Sequence, residues 1–141
     1  MSENPVTKIK KDYISAVGRR KTAVARVRLY PNKKGDIEIN GSRIEEYFPG
    51  EVNQSQYLES LRTCNLIGKH KITIKVSGSG KSSQLDAVVH GISRCLAKFD
   101  EEKFRPILKK RSFLTRDPRA KQRRQAGMGG KARRKRQSPR R

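Results

Sequence analysis

Apolar and polar residues alternate with period two from Ala23 to Tyr30. Ala23, Ala25, Val27 and Leu29 fall on one side, and Val24, Arg26, Arg28 and Tyr30 on the other, the pattern of a half-buried strand. PNKKGD follows, with Pro31, Asn32 and Gly35 supplying turn chemistry. Ile37 and Ile39 then alternate with Glu38 and Asn40, so the two runs together predict a β-hairpin. Ser42 to Tyr47 reads as a short helical turn with Ser42 as cap and Glu45 three residues on, ended by Pro49 and Gly50. An amphipathic helix is expected from Gln54 to Leu66, ending near Gly68. A further strand places Ile72, Ile74 and Val76 against Thr73 and Lys75 and runs into SGSGK.

The longest helix is expected from about Ser82 to Phe99. At 100° per residue, Leu85, Val88, Val89, Ile92, Leu96 and Phe99 form one stripe, while Asp86, His90, Arg94, Ala97 and Lys98 face elsewhere. A short helix in DEEKFRPILKKRS is disturbed by Pro106, which lacks a backbone donor. Strands interleaved with helices that cover one sheet face make this an α+β or α/β sandwich.

The chain has 141 residues, with 35 Lys and Arg against 13 acids and a net charge of +22. Such an excess calls for an anionic partner: nucleic acid first, since each neutralised phosphate releases counterions, and an anionic membrane surface second. The charge is unevenly spread, at +7 over residues 1–104 and +15 over 105–141. Residues 1–12 are accordingly read as a flexible N-terminal segment and 13–104 as a globular RNA-binding domain. Residues 105–141 are read as a short helix followed by an extended basic tail. No stretch approaches the roughly 20 apolar residues of a membrane span. Two widely separated cysteines without an export signal point to reduced thiols in a cytosol-like compartment.

SGSGKSSQ invites comparison with a nucleotide-binding phosphate loop, but the strict spacing places Lys75 where the first glycine belongs. The milder expectation is a turn in which Gly78, Gly80 and Lys81 let backbone N–H groups approach a phosphate. A plain strand-to-helix turn with Ser82 as cap fits equally well. Cys64, His70, His90 and Cys95 lack zinc-site spacing and are assigned surface and boundary positions. No metal, no cofactor and no catalytic constellation is expected.

GRRKTAVARVRL concentrates Arg19, Arg20, Lys21, Arg26 and Arg28 beside a basic tail, which favours phosphate contact over a merely solvated strand face. Along the tail, Lys109, Lys110, Arg111, Arg116, Arg119, Arg123, Arg124, Lys131, Arg133 and Arg134 are expected to hold RNA backbone. The tail's one aromatic residue, Phe113, argues against stacking on many splayed bases as its main mode.

Four stretches carry a resemblance to a known family: GRRKTAVARV (18–27), INGSRIEEYF (39–48), GSGKSSQLDAVVHGISRCL (78–96) and FLTRDPR (113–119). In this order they resemble the bacterial-type ribosomal small-subunit protein nine family, over about residues 13–141. The resemblance implies a four-stranded sheet with two helices on one face and a left-handed βαβ crossover. It also implies a non-catalytic seat in the head of the small subunit, on its rRNA and among neighbouring head proteins. The compartment would be the cytoplasm, or an organelle's stroma or matrix if organelle-encoded. The family's tail approaches peptidyl-site tRNA, which by position assigns Arg140 and Arg141 here. This chain ends Ser138, Pro139, Arg140, Arg141, where the family has an aromatic residue, serine, lysine and arginine. Ser79 likewise replaces a family glycine.

Overall fold

The computed structural model describes residues 12–126. In chain order its elements are β1 (Ile14–Arg20), β2 (Ala23–Tyr30), β3 (Ile37–Ile39), β4 (Ser42–Arg43), α1 (Ile44–Tyr47), α2 (Glu51–Thr63), β5 (Lys71–Ser77), α3 (Lys81–Phe99) and α4 (Glu101–Lys110). They form a mixed α+β architecture around one sheet of order β1-β2-β5-β3-β4.

The sheet has five strands, where the family resemblance implied four. The fifth arises at Asn40-Gly41, where both residues have positive φ (49° and 91°). Such a two-residue turn folds a chain straight back on itself, so Ser42 pairs with Ile39 and Arg43 with Glu38. This displaces the expected cap: Ser42 is in a strand, and Arg43 precedes α1 without a side-chain cap.

The expected hairpin between β2 and β3 does not form. β2 pairs antiparallel with β5 over seven positions, from Val24↔Ser77 to Tyr30↔Lys71, and β3 pairs parallel with the far side of β5. The PNKKGD segment crosses the end of β5, where Lys71 N–H donates to the Lys33 carbonyl at 2.6 Å. β2 finds its hairpin partner upstream, in β1, through a two-residue turn between Arg20 and Ala23. A period of two fixes which face a residue takes but not which strand lies beside it.

Helix bounds also shift. α2 begins at Glu51, not Gln54, and ends at Thr63. α3 is preceded by Gly80 as N-cap, with Ser82 inside the helix. α4 runs through Pro106 and is capped by Asp100, whose carboxylate accepts from Lys103 N–H at 3.1 Å.

The core lies between the sheet and α3. Ala23, Ala25, Val27, Leu29, Ile72, Ile74 and Val76 point into it from β2 and β5, and Leu85, Val88, Ile92 and Leu96 from the helix. The buried surface of α3 is wider than the single stripe and also takes in Ala87, Gly91, Ser93 and Cys95. Gly91 lies against Gly18 and Val27, Cys95 Sγ reaches the Ile14 and Val27 carbonyls, and α2 and α4 pack on the helix as well. Leu108 of α4 is fully buried, and Phe113 and Leu114 pack against the same core, so its packing continues beyond residue 104.

α3 lies unusually close to β1. A Cβ on Gly18 would overlap the Ala87 carbonyl oxygen and the Gly91 backbone nitrogen, and one on Gly91 would lie 2.6 Å from Val27 Cγ2. Two facing glycines let the helix backbone meet the strand backbone directly. That proximity brings His90, Arg94 and Lys98, spaced four residues apart, over the open edge of β1. Arg19 N–H donates to His90 Nδ1 at 3.3 Å, Arg94 donates to the Val17 carbonyl, and Lys98 Nζ donates to the Ser15 carbonyl at 3.0 Å. Odd-numbered residues of β1 turn their backbone groups away from β2, and these three bonds occupy half of the groups on Ser15, Val17 and Arg19.

Candidate nucleic-acid interface

Among the described residues, no helix covers the second face of the sheet. Strand alternation puts Arg19, Arg26, Arg28 and Lys75 on it, all exposed. The register sets them in rows: Arg26 stands between Val17 and Lys75, and Arg28 between Ser15 and Thr73, with Glu38 and Arg43 continuing that row. Lys71 is on the same face but is bound to Glu38 at 2.8 Å. Among the described residues, Arg19, Arg26, Arg28 and Lys75 make no ion pair with an acid. Two tyrosines complete the face, with ring centroids 5.7 Å apart for Tyr13 and Tyr30 and the Arg28 guanidinium 5.1 Å from the centre of Tyr13. Lys75, Lys71 and Arg43 join the face without having been expected there from sequence. Lys75 was legible, because it alternates with buried Ile74 and Val76, whereas Arg43 needed the unforeseen strand β4.

Arg20 and Lys21 sit at the β1–β2 turn and diverge. Lys21 is exposed with φ 50°, and its carbonyl accepts from Arg116 at 3.4 Å. Arg20 turns toward α3 instead and is 12% exposed. It meets Asp86 at 3.4 Å and Asp117 at 3.1 Å, and also donates to the Arg119 carbonyl. Asp86 accepts in addition from Gln56 Nε2 of α2 at 2.8 Å. Asp117 is the only acid in residues 105–141. It also accepts from the Arg119 side chain and backbone, bonds that hold its carboxyl well below the usual carboxylate range. The start of the tail is thus strapped to the hairpin and α3 by a node of four charged side chains.

Further along, Lys109 and Lys110 end α4 and are exposed, as are Arg123 and Arg124. Arg111 lies 3.6 Å from Glu59, a solvated pair of small energetic weight. Lys131, Arg133, Arg134, Arg140 and Arg141 lie outside the described residues.

At the glycine turn, Gly78 has φ 83° and Ser79 φ 54°. A Cβ on Gly78 would strike the Thr22 carbonyl oxygen, so packing against the β1–β2 turn already requires glycine there. Lys81 Nζ lies 3.3 Å from the centre of the Tyr47 ring. Gln84 ties the turn to α1 by donating to the Gly78 carbonyl at 3.0 Å while accepting from the Tyr47 hydroxyl at 2.9 Å.

The cysteines differ from their expected boundary positions, since both are buried. Cys95 is fully enclosed, and burial pushes its thiol up to about 12. His70 Nδ1 lies 2.9 Å from the Pro31 carbonyl. Desolvation pulls His90 down, which keeps its ring neutral and able to accept from Arg19. Among the described residues no group of His, Cys, Asp and Glu is arranged to hold a metal, and no helix is long and apolar enough to cross a membrane.

Residues 18–141 match the family described as Ribosomal protein S9/S16. The chain is 46% identical over 114 residues to a protein of Anaeromyxobacter sp. (strain K), covering 81% of this chain and 86% of the relative. It is 50% identical over 113 residues to one of Lawsonia intracellularis, covering 80% and 85% respectively. For one of Leifsonia xyli subsp. xyli the identity is 40% over 114 residues, covering 81% and 67%. Each relative bears the name small ribosomal subunit protein uS9. The match extends through the strapped tail to the last residue, and the family is one of ribosomal structural proteins rather than enzymes. The chain belongs to the ribosomal protein S9/S16 family.

Proposed function

We propose that this protein is a structural constituent of the small ribosomal subunit. It binds small-subunit rRNA in the head and sends its basic arm toward peptidyl-site tRNA. The observation that carries the reading is the uncovered sheet face: Arg19, Arg26, Arg28 and Lys75 stand exposed there without acidic partners among the described residues. Elsewhere, Arg20, Lys71 and Arg119 do have such partners. Cations that no described helix covers and no described acid pairs are suited to phosphate, where they fix register without reading base sequence.

The arm adds the larger share of charge. Lys109, Lys110, Arg111, Arg116, Arg123 and Arg124, followed by Lys131, Arg133 and Arg134, supply phosphate contacts, and Arg140 and Arg141 stand nearest tRNA. Arg20 serves the RNA indirectly in this reading, by holding the arm's base, and Lys21 remains a phosphate contact at the turn. The Gly78–Lys81 turn offers backbone N–H groups to a neighbouring phosphate. The partners are rRNA, tRNA and adjoining head proteins, and the compartment is that of the ribosome. We propose in addition that the crossover from β3 to its parallel neighbour β5 is left-handed, as the resemblance implies.

Co-sedimentation with small subunits through high salt tests the assembly. Removing 109–141 is expected to flatten the salt dependence of rRNA binding, by about 0.7–0.9 logarithmic units of slope for each phosphate no longer neutralised. An unchanged slope would remove the arm from the interface. Deleting Arg140 and Arg141 alone should leave assembly intact and weaken peptidyl-site tRNA. Equal competition by duplex DNA at matched salt would overturn the rRNA reading.

A further inference from the structure

Six of the chain's eight aromatic residues belong to the core or pack against it: Phe48 and Tyr57 inside, with Tyr47, Phe99, Phe104 and Phe113 around them. Tyr13 and Tyr30 do not. They stand on the uncovered sheet face, where the residue leading into β1 meets the last residue of β2, with ring centroids 5.7 Å apart and planes at 54°. Both are half-buried, so part of each ring remains open to solvent.

Cations frame the pair. The Arg28 guanidinium lies 5.1 Å from the centre of Tyr13, and Lys33 Nζ 5.7 Å from that of Tyr30. Lys71, the register partner of Tyr30 on β5, is taken up by Glu38. Large aromatic rings on an open sheet face with positive charge at their margins match the requirements of a single nucleic-acid strand. A base stacks on a ring, and the flanking phosphates meet the cations.

We propose that Tyr13 and Tyr30, with Arg28 and Lys33 around them, form a stacking site for an unpaired nucleobase of RNA. The inference rests on the RNA-binding reading above and adds a ligand class to it. Phosphate contacts alone do not require a base to leave its helix, whereas an aromatic platform stacks on a base that has done so. Because every base has a π-face, the site favours single strands without choosing strongly among sequences. The plain alternative is a cross-strand aromatic pair that only braces the hairpin.

The two are separated by binding of the full-length protein to a single-stranded oligouridylate and to an RNA duplex of equal phosphate number. Tyr13→Leu/Tyr30→Leu keeps apolar bulk but removes both π-faces, and is expected to weaken oligouridylate binding about ten-fold or more. Duplex binding and its salt slope should change less than about two-fold, and Tyr13→Phe/Tyr30→Phe should restore the single-strand affinity. Ultraviolet crosslinking of the oligouridylate should map to Tyr13 or Tyr30. Equal losses on both RNAs, or none on either with crosslinks elsewhere, would overturn the site while leaving RNA binding in place. If the unaltered protein binds neither RNA, the stacking site and the RNA-binding reading fail together. A leucine variant that melts early is replaced by Arg28→Gln, which keeps both rings and should lower oligouridylate crosslinking at them.

Discussion

Replacing Arg20 with methionine should release the first stretch of the tail without unfolding the domain. The guanidinium makes three contacts there, to Asp86, Asp117 and the Arg119 carbonyl. Its own side chain is 12% exposed, but the Asp86 and Asp117 side chains are 39% and 32% exposed, so water already screens part of each interaction. Charged hydrogen bonds contribute about 1.5–3 kcal/mol when shielded, and exposed pairs about 0–1. With methionine replacing the apolar stem, a net loss of about 2 kcal/mol is expected for closure of the strap. That corresponds to roughly thirty-fold more frequent local opening. Hydrogen exchange read by mass spectrometry reports it directly. Peptides spanning 113–119 should exchange roughly thirty-fold faster, while those from β2 and β5 stay within about two-fold. Arg20→Lys, which keeps charge but not the planar fork, should fall between. Unchanged exchange at 113–119, or acceleration spread evenly through the core, would refute the strap.

Gly18→Ala should destabilise the domain by about 2–4 kcal/mol, because the new methyl group meets helix backbone that cannot move aside alone. Gly91→Ala, which meets the end of a valine side chain, should cost less in the same urea titration. His90 has a depressed pKa in the folded state, chiefly through desolvation, with Arg94 and Arg116 pushing it further down against backbone hydrogen bonds at Leu114 and Arg19. The unfolded chain therefore takes up the proton first as pH falls through about 6.5, so stability is full above that value and declines below it. Urea midpoints at pH 7.5 and 5.5 should show the decline, and His90→Gln should reduce it. Neither thiol should react with a disulfide reagent until the protein unfolds, since both cysteines are buried and Cys95 titrates only near 12.

The long α3 helix and the β2 and β5 strands were legible in the sequence because their burial is local and periodic. β1 was not, for a physical reason: Ala16 and Gly18 face the core as small residues, chosen for the close approach of α3 and not for hydrophobic area. The pairing of β2 with β5 joins segments about forty residues apart, and no local pattern encodes it. Basic residues of the open face were readable from alternation, as Arg26 and Arg28 show. The inward turn of Arg20 was not readable, because its partners lie 66 and 97 residues away in sequence. Asp117 did stand out by composition, as a single acid in a basic tail, but only its geometry reveals what it holds.

The three α3 side chains along β1 also bear on how separate copies of the protein meet one another. Newly made copies share a seven-residue outer strand, and such strands readily recruit one another into growing sheets. Here an incoming strand would have to dislodge His90, Arg94 and Lys98 from Ser15, Val17 and Arg19. It would also have to bury two positive charges against a copy that carries the same ones. The spacing of one helix thus guards the β1 edge of the sheet against pairing with another copy.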